Sequence, residues 1–166
     1  MTTTYYLTVS LHVLAALFWL GGMLFVGAVG APVLRAVEPP ELRQRIFRDL
    51  GLRFRAAGWW AIAVLVVTGV LQLRLRGLLR WDGVLGDAAF WATPLGIALA
   101  VKLAAVATMI AASAVHDFVL GPAAGRAAPG SPRAIALRAR AAWLARVNAI
   151  VAVALVVAAV RLARGG

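Results

Sequence analysis

The chain has 166 residues, is 63% hydrophobic, and carries a net charge of +11 with a mean hydropathy of +0.91. Soluble domains are about 45–50% apolar, so the composition excludes a soluble globule and points to one small integral membrane domain. There is no cysteine, which excludes disulfides, thiolate ligands and thiol chemistry.

The N-terminal stretch "MTTTYYLTVS" has no positive charge, and the apolar run after it reaches Leu34. A secretory signal has a basic start and an apolar core of about 7–15 residues, so residues 5–34 are expected to be a retained transmembrane helix. Next comes "EPPELRQRIFRDLGLRF" (38–54), where Leu42, Ile46 and Leu50 recur at helical spacing among charges. That pattern predicts a short cytoplasmic helix over 38–52, lying in the membrane interface. A second span is expected over 55–73. Trp81, Phe90 and Trp91 suit an outer aromatic belt. Thr93 can cap the third span, with Pro94 at the first helical position, where no N–H is missed. This span is expected over 94–120. "GPAAGRAAPGSPR" (121–133) is dense in breakers, so 121–138 is expected to be a cytoplasmic loop. The fourth span is expected over 141–162. No repeat of 20–50 residues is visible. The fold expected is an all-α integral membrane four-helix bundle.

Charge gives the direction. The connection after span one carries Arg35, Arg43, Arg45, Arg48, Arg53 and Arg55; that after span three carries Arg126, Arg133, Arg138 and Arg140. Both are expected in the cytoplasm, with both termini outside. Arg74, Arg76 and Arg80 in the outer connection weaken the bias, and Asp82 and Asp87 share that connection. In a membrane protein such arginines set topology and meet lipid headgroups, so nucleic acid is not an expected partner.

Few polar residues enter the spans. Lys102 is the single lysine among 17 basic residues, and it sits inside an apolar run. At 1.5 Å per residue, His12 lies roughly 10 Å past Tyr5 and Lys102 roughly 12 Å past Pro94. Thr68, counted back from the outer end of span two, falls near the same level. The three are expected to face one site, with the lysine amine close to the His12 ring directly or through one water, ion or cofactor. His12, Ala16, Trp19 and Met23 form one helical stripe; Lys102, Val106, Met109, Ser113 and His116 form another. Met23 and Met109 are expected at similar depth. His116 lies roughly 20 Å or more deeper than His12, so the two cannot ligate one ion in a single chain. Asp117, Arg146 and Asn148 are its expected neighbours.

At these residues the sequence resembles the copper resistance protein D family. The resemblance rests on Arg53, Thr68 and Gly69 in "RFRAAGWWAIAVLVVTGVLQL" and on Thr93, Gly96, Lys102 and Leu103 in "TPLGIALAVKLAAVATMIAA". Span one looks like the first helix of a broader group that includes the bacterial membrane-type protoporphyrinogen oxidase. There a span-one histidine and a later lysine are implicated as haem ligands, and His12 and Lys102 are the matching positions. In the oxidase a histidine follows the lysine by about eleven residues, whereas here His116 follows Lys102 by fourteen.

The resemblance implies copper handling in the bacterial inner membrane. Cu(I) takes soft thioether and imidazole ligands, and His12, Met23, Met109 and His116 are the candidates. The alternative it implies is a b-type haem protein in electron transfer or porphyrin oxidation, with His12 and a neutral Lys102 or water as axial ligands and Thr68 as their partner. Arg74 or Arg76 would then meet the propionates. A third reading makes the chain a non-catalytic membrane subunit. Besides the bilayer, the partners expected are a periplasmic metal-binding or redox protein and further copies of the chain.

Overall fold

The computed structural model describes residues 3–80, 83–128 and 131–163, so Trp81 and Asp82 lie outside the described residues. The described residues are mostly helical and form no strand, and four helices are long and apolar enough to cross a membrane: Thr3–Arg35, Pro40–Leu75, Pro94–Arg126 and Pro132–Ala163. In their most apolar stretches only 11–22% of residues are buried. Leucine, valine and phenylalanine therefore point outward around each helix, as in a helix solvated by lipid rather than by water. The protein is a multi-pass membrane protein.

The ends of the helices follow from local chemistry. The second helix stops in a Schellman turn. Gly77 takes a φ of 73°, Leu78 N–H bonds the Leu73 carbonyl at 3.0 Å, and Gly77 N–H bonds that of Arg74 at 3.0 Å. The third starts at Thr93, whose hydroxyl oxygen accepts the Gly96 N–H at 3.0 Å, with Pro94 next in line. Gly96 has a further reason to be glycine. A Cβ there would strike the Phe90 carbonyl and lie 2.9 Å from Trp91 Cα, because the turn Phe90–Ala92 folds onto the start of the helix. Ser131 caps the fourth helix through the Ala134 N–H at 3.2 Å, again followed by a proline.

Two expected boundaries give way. Residues 38–52 are not a separate interfacial helix, because Pro40–Leu75 is one helix of 36 residues. Pro39 and Pro40 stand at its start, where prolines are tolerated, and the charged residues after them do not break it. At 1.5 Å per residue it measures about 54 Å, well beyond a hydrocarbon core of about 30 Å. The expected loop 121–138 shrinks to the few residues between Arg126 and Pro132. Gly121–Pro122 should break a helix. Here it follows a π-turn, Val115–Leu120, in which Gly121 N–H reaches back to the His116 carbonyl. The wider π spacing draws the preceding carbonyls away from the proline ring. The first helix repeats the device, with a π-turn over Val26–Gly30 and then Pro32.

The chain divides into two compact units, 1–99 and 100–166. In the first, the helices Thr3–Arg35 and Pro40–Leu75 pack as an antiparallel hairpin along much of their length. Its buried face is Thr8, Ala15, Trp19 and Leu34 against Gly58, Ala61, Ile62 and Thr68. Rings sit on glycines across it. Trp19 Cδ1 would be 3.6 Å from a Cβ on Gly58, and the Phe54 ring occupies the space that a Cβ on Gly22 would need. In the second unit, the fourth helix stays close to the π-turn and to Gly121–Arg126. Ser113 marks its contact higher up, accepting a hydrogen bond from Asn148 Nδ2 at 3.0 Å.

The two helix pairs share a frame. A shift of 90 residues lays Pro32 on Pro122 and one π-turn on the other. It also lays buried Trp19, Leu34, Gly58 and Ile62 on buried Met109, Ala124, Asn148 and Ala152. His12 then falls on Lys102.

Candidate functional site

The polar centre of the first unit is built from one residue of each helix. His12 shares the helix face of Thr8, Ala15 and Trp19 and is half-buried. Thr68 comes from the buried face of the second helix and is 4% exposed. His12 Nδ1 and Thr68 Oγ1 are 2.7 Å apart.

The direction of this bond follows from counting protons. A threonine hydroxyl has one proton to donate. Thr68 Oγ1 lies 2.6 Å from the Val64 carbonyl and 3.3 Å from that of Leu65, and neither carbonyl can donate. The hydroxyl therefore gives its proton back to its own helix, as helical threonines do. Its oxygen is left to accept, so His12 Nδ1 is the donor of this bond. An imidazole whose N–H is fixed by an oxygen on one side, with a lone pair on the other, is the form that binds metals. Gly69 borders the same ring: a Cβ there would lie 3.6 Å from His12 Cε1. Thr68 thus holds one edge of the ring, and Gly69 lies beside the next.

Met23 is half-buried on the first helix. It follows His12 by eleven residues, roughly 16 Å along the axis, so it forms a separate position.

In the second unit, Met109 is 4% exposed and shares a helix face with Ser113 and His116. His116 Nδ1 meets Asp117 Oδ1 at 2.8 Å, both within the π-turn. A carboxylate only accepts, so this ring too spends its Nδ1 proton on an oxygen. Asn148 bonds Ser113, three residues before His116, and Arg146 is exposed. Lys102 lies nearer the start of this helix. Its side chain is exposed, as are Val101, Leu103 and Ala104 around it. The cause is packing: within its unit the fourth helix keeps close to the far end of the third, not to the Lys102 end.

Among the described residues, no three of His, Cys, Asp and Glu come together as a metal cage. The donor set is two histidines and two methionines, spread along the helices.

Sequence reasoning missed one neighbour of the site. Arg76 Nε donates to the Tyr5 hydroxyl at 3.0 Å, where the hairpin ends. The signal was present in the four-residue spacing of Thr68, Gln72 and Arg76.

A family model described as copper resistance protein D matches residues 49–162, which include Thr68, Lys102, Met109 and His116 but not His12. An uncharacterized protein of Aquifex aeolicus (strain VF5) is 41% identical over 66 residues, covering 39% of this chain and 45% of its own length. The chain thus matches less than half of that relative. No solved structure matches. Nothing in these matches carries the resemblance to the protoporphyrinogen oxidase.

Proposed function

This chain belongs to the copper resistance protein D family, and from that premise we propose that it handles copper ions in the bacterial inner membrane. His12 is the first ligand and Thr68 fixes its tautomer. Met23, Met109 and His116 are further positions along the way, and copper is the cargo. The observation that supports this reading is the Thr68 hydroxyl, committed to the Val64 carbonyl and so engaging His12 through Nδ1, which leaves Nε2 as the nitrogen for a metal. Imidazole nitrogen and thioether sulfur are ligands that Cu(I) accepts. Lys102, at the matching place of the second helix pair, is proposed as a second nitrogen donor. The arginine-rich helix ends around the first and third connections are proposed to face the cytoplasm, with both termini outside.

The test is copper accumulation in cells that rely on this chain. His12→Ala is expected to shift accumulation toward that of a deletion strain, and His12→Ala with Met109→Leu to reach it. Wild-type accumulation in the double variant would remove the proposal. A Soret band in the purified wild-type protein, lost in His12→Ala, would assign the histidine to haem instead.

A further inference from the structure

Between the His12–Thr68 bond and the nearer end of the first helix pair, polar side chains face each other level by level. On the first helix they are Tyr5, Thr8 and His12, spaced three and four apart and hence on one face. On the second they are Thr68, Gln72 and Arg76, spaced four apart and again on one face. The helices are antiparallel, and two levels are joined directly. His12 meets Thr68 at 2.7 Å. Arg76 donates to the Tyr5 hydroxyl, and its guanidinium carbon lies 5.5 Å from the Tyr5 ring centre. The same register sets Thr8 level with Gln72.

That middle level is incomplete. Thr8 is 7% exposed and gives its proton to the Thr4 carbonyl at 2.8 Å, so its oxygen remains an acceptor. Gln72 Nε2 is buried and has no hydrogen-bond partner among the described residues. Leaving such a donor unmade costs about 1–3 kcal/mol, and folded proteins rarely leave one without a protein or water partner. A buried polar spot with hydroxyl oxygens on one side and an amide on the other is where an internal water is held. On the far side of His12 the lining changes. Ala15, Trp19, Ala61 and Ile62 are buried, and the Trp19 indole lies against Gly58.

We propose that these three levels form a hydrated half-channel within the first helix pair, open at Tyr5 and Arg76, bridged by water at Thr8 and Gln72, and closed beyond His12 by Trp19. It gives the histidine access to solvent from one membrane face only. Arg76, tied across the mouth by Tyr5, makes that mouth cationic. Neutral and anionic solutes therefore reach His12 faster than bare cations do. The half-channel does not depend on what His12 binds.

The chain has no cysteine, so single cysteines can be introduced without background. Thr8→Cys and Gln72→Cys are compared with Leu11→Cys and Leu71→Cys, at exposed apolar positions of the same helices, and with Ala61→Cys beyond the histidine. Each variant is reconstituted in phosphatidylcholine–phosphatidylglycerol vesicles and treated with methanethiosulfonates carrying a sulfonate or an ammonium group. Thr8→Cys and Gln72→Cys are expected to react with the sulfonate at least about tenfold faster than the three controls. Adding Arg76→Ala to Gln72→Cys should abolish the preference for the sulfonate over the ammonium reagent. Rates no higher than at Leu71→Cys overturn the half-channel, and a fast rate at Ala61→Cys overturns its closed end. The unmodified protein gives a reading that does not depend on a variant folding. The Gln72 side-chain amide should exchange magnetisation with water in NMR, and silence there counts against the proposal equally.

Discussion

Thr68 does two jobs with one oxygen. It donates to its own helix and accepts from His12, and each bond constrains the other. Thr68→Val keeps the shape but removes the acceptor, so the ring loses its fixed tautomer. The variant is expected to lose about 1 kcal/mol of unfolding free energy in detergent, and its affinity for Cu(I) should fall by about 10–100-fold. Thr68→Ser should restore most of both. A chelator-competition titration checks the affinity, and an unchanged value in Thr68→Val would show that the hydroxyl does not orient a ligand. The pairing of His12 with Thr68 was legible in the sequence because rise per residue converts position into depth, and few polar residues compete at that level. Which side of its helix Lys102 takes was not. Hydropathy says that a residue lies in a span, but a helix apolar on all sides does not say which side meets its neighbour.

At the scale of the helix, the caps were legible and the interruptions were not. Thr93, Pro94 and Gly96 act within one turn, so the sequence alone points to a helix start there. The close approach of Phe90 adds a steric demand. Gly96→Ala is expected to cost about 1–3 kcal/mol, as overpacking does. Thermal unfolding in detergent should show this as a lower midpoint, and an unchanged midpoint would mean that the Phe90–Ala92 turn yields freely. Gly121–Pro122 misled for a physical reason. A proline breaks an α-helix through a clash with the preceding turn, and a π-turn in that place removes the clash. No local composition announces a π-turn. The same holds for 38–52, where charged residues on a long helix look like an interfacial segment until the helix is seen to run on.

At the scale of the molecule, two helix pairs share one frame with different residues in it. The frame keeps the π-turn, the proline after it and the buried positions, while Trp19 becomes Met109 and Gly58 becomes Asn148. Such a repeat escapes a search for similar letters, because helix geometry and burial are retained rather than side-chain identity. Asn148 is buried and bonded to Ser113, so Asn148→Ala should destabilise the second pair by about 1–3 kcal/mol. The arginines on the helix ends around the first and third connections predict that both termini lie outside. Alkaline phosphatase fused to either end should be active, and a fusion within 127–131 inactive. The reverse pattern would invert the proposed topology.

The central claim is that His12 is a copper ligand held ready by Thr68. It is tested most directly by titrating the purified, reduced protein with Cu(I) against a chromophoric chelator, wild type beside His12→Ala. The account predicts that wild type competes for the ion and that His12→Ala is weaker by at least about tenfold. Equal affinity in the two proteins, or no competition by the wild type, would contradict it.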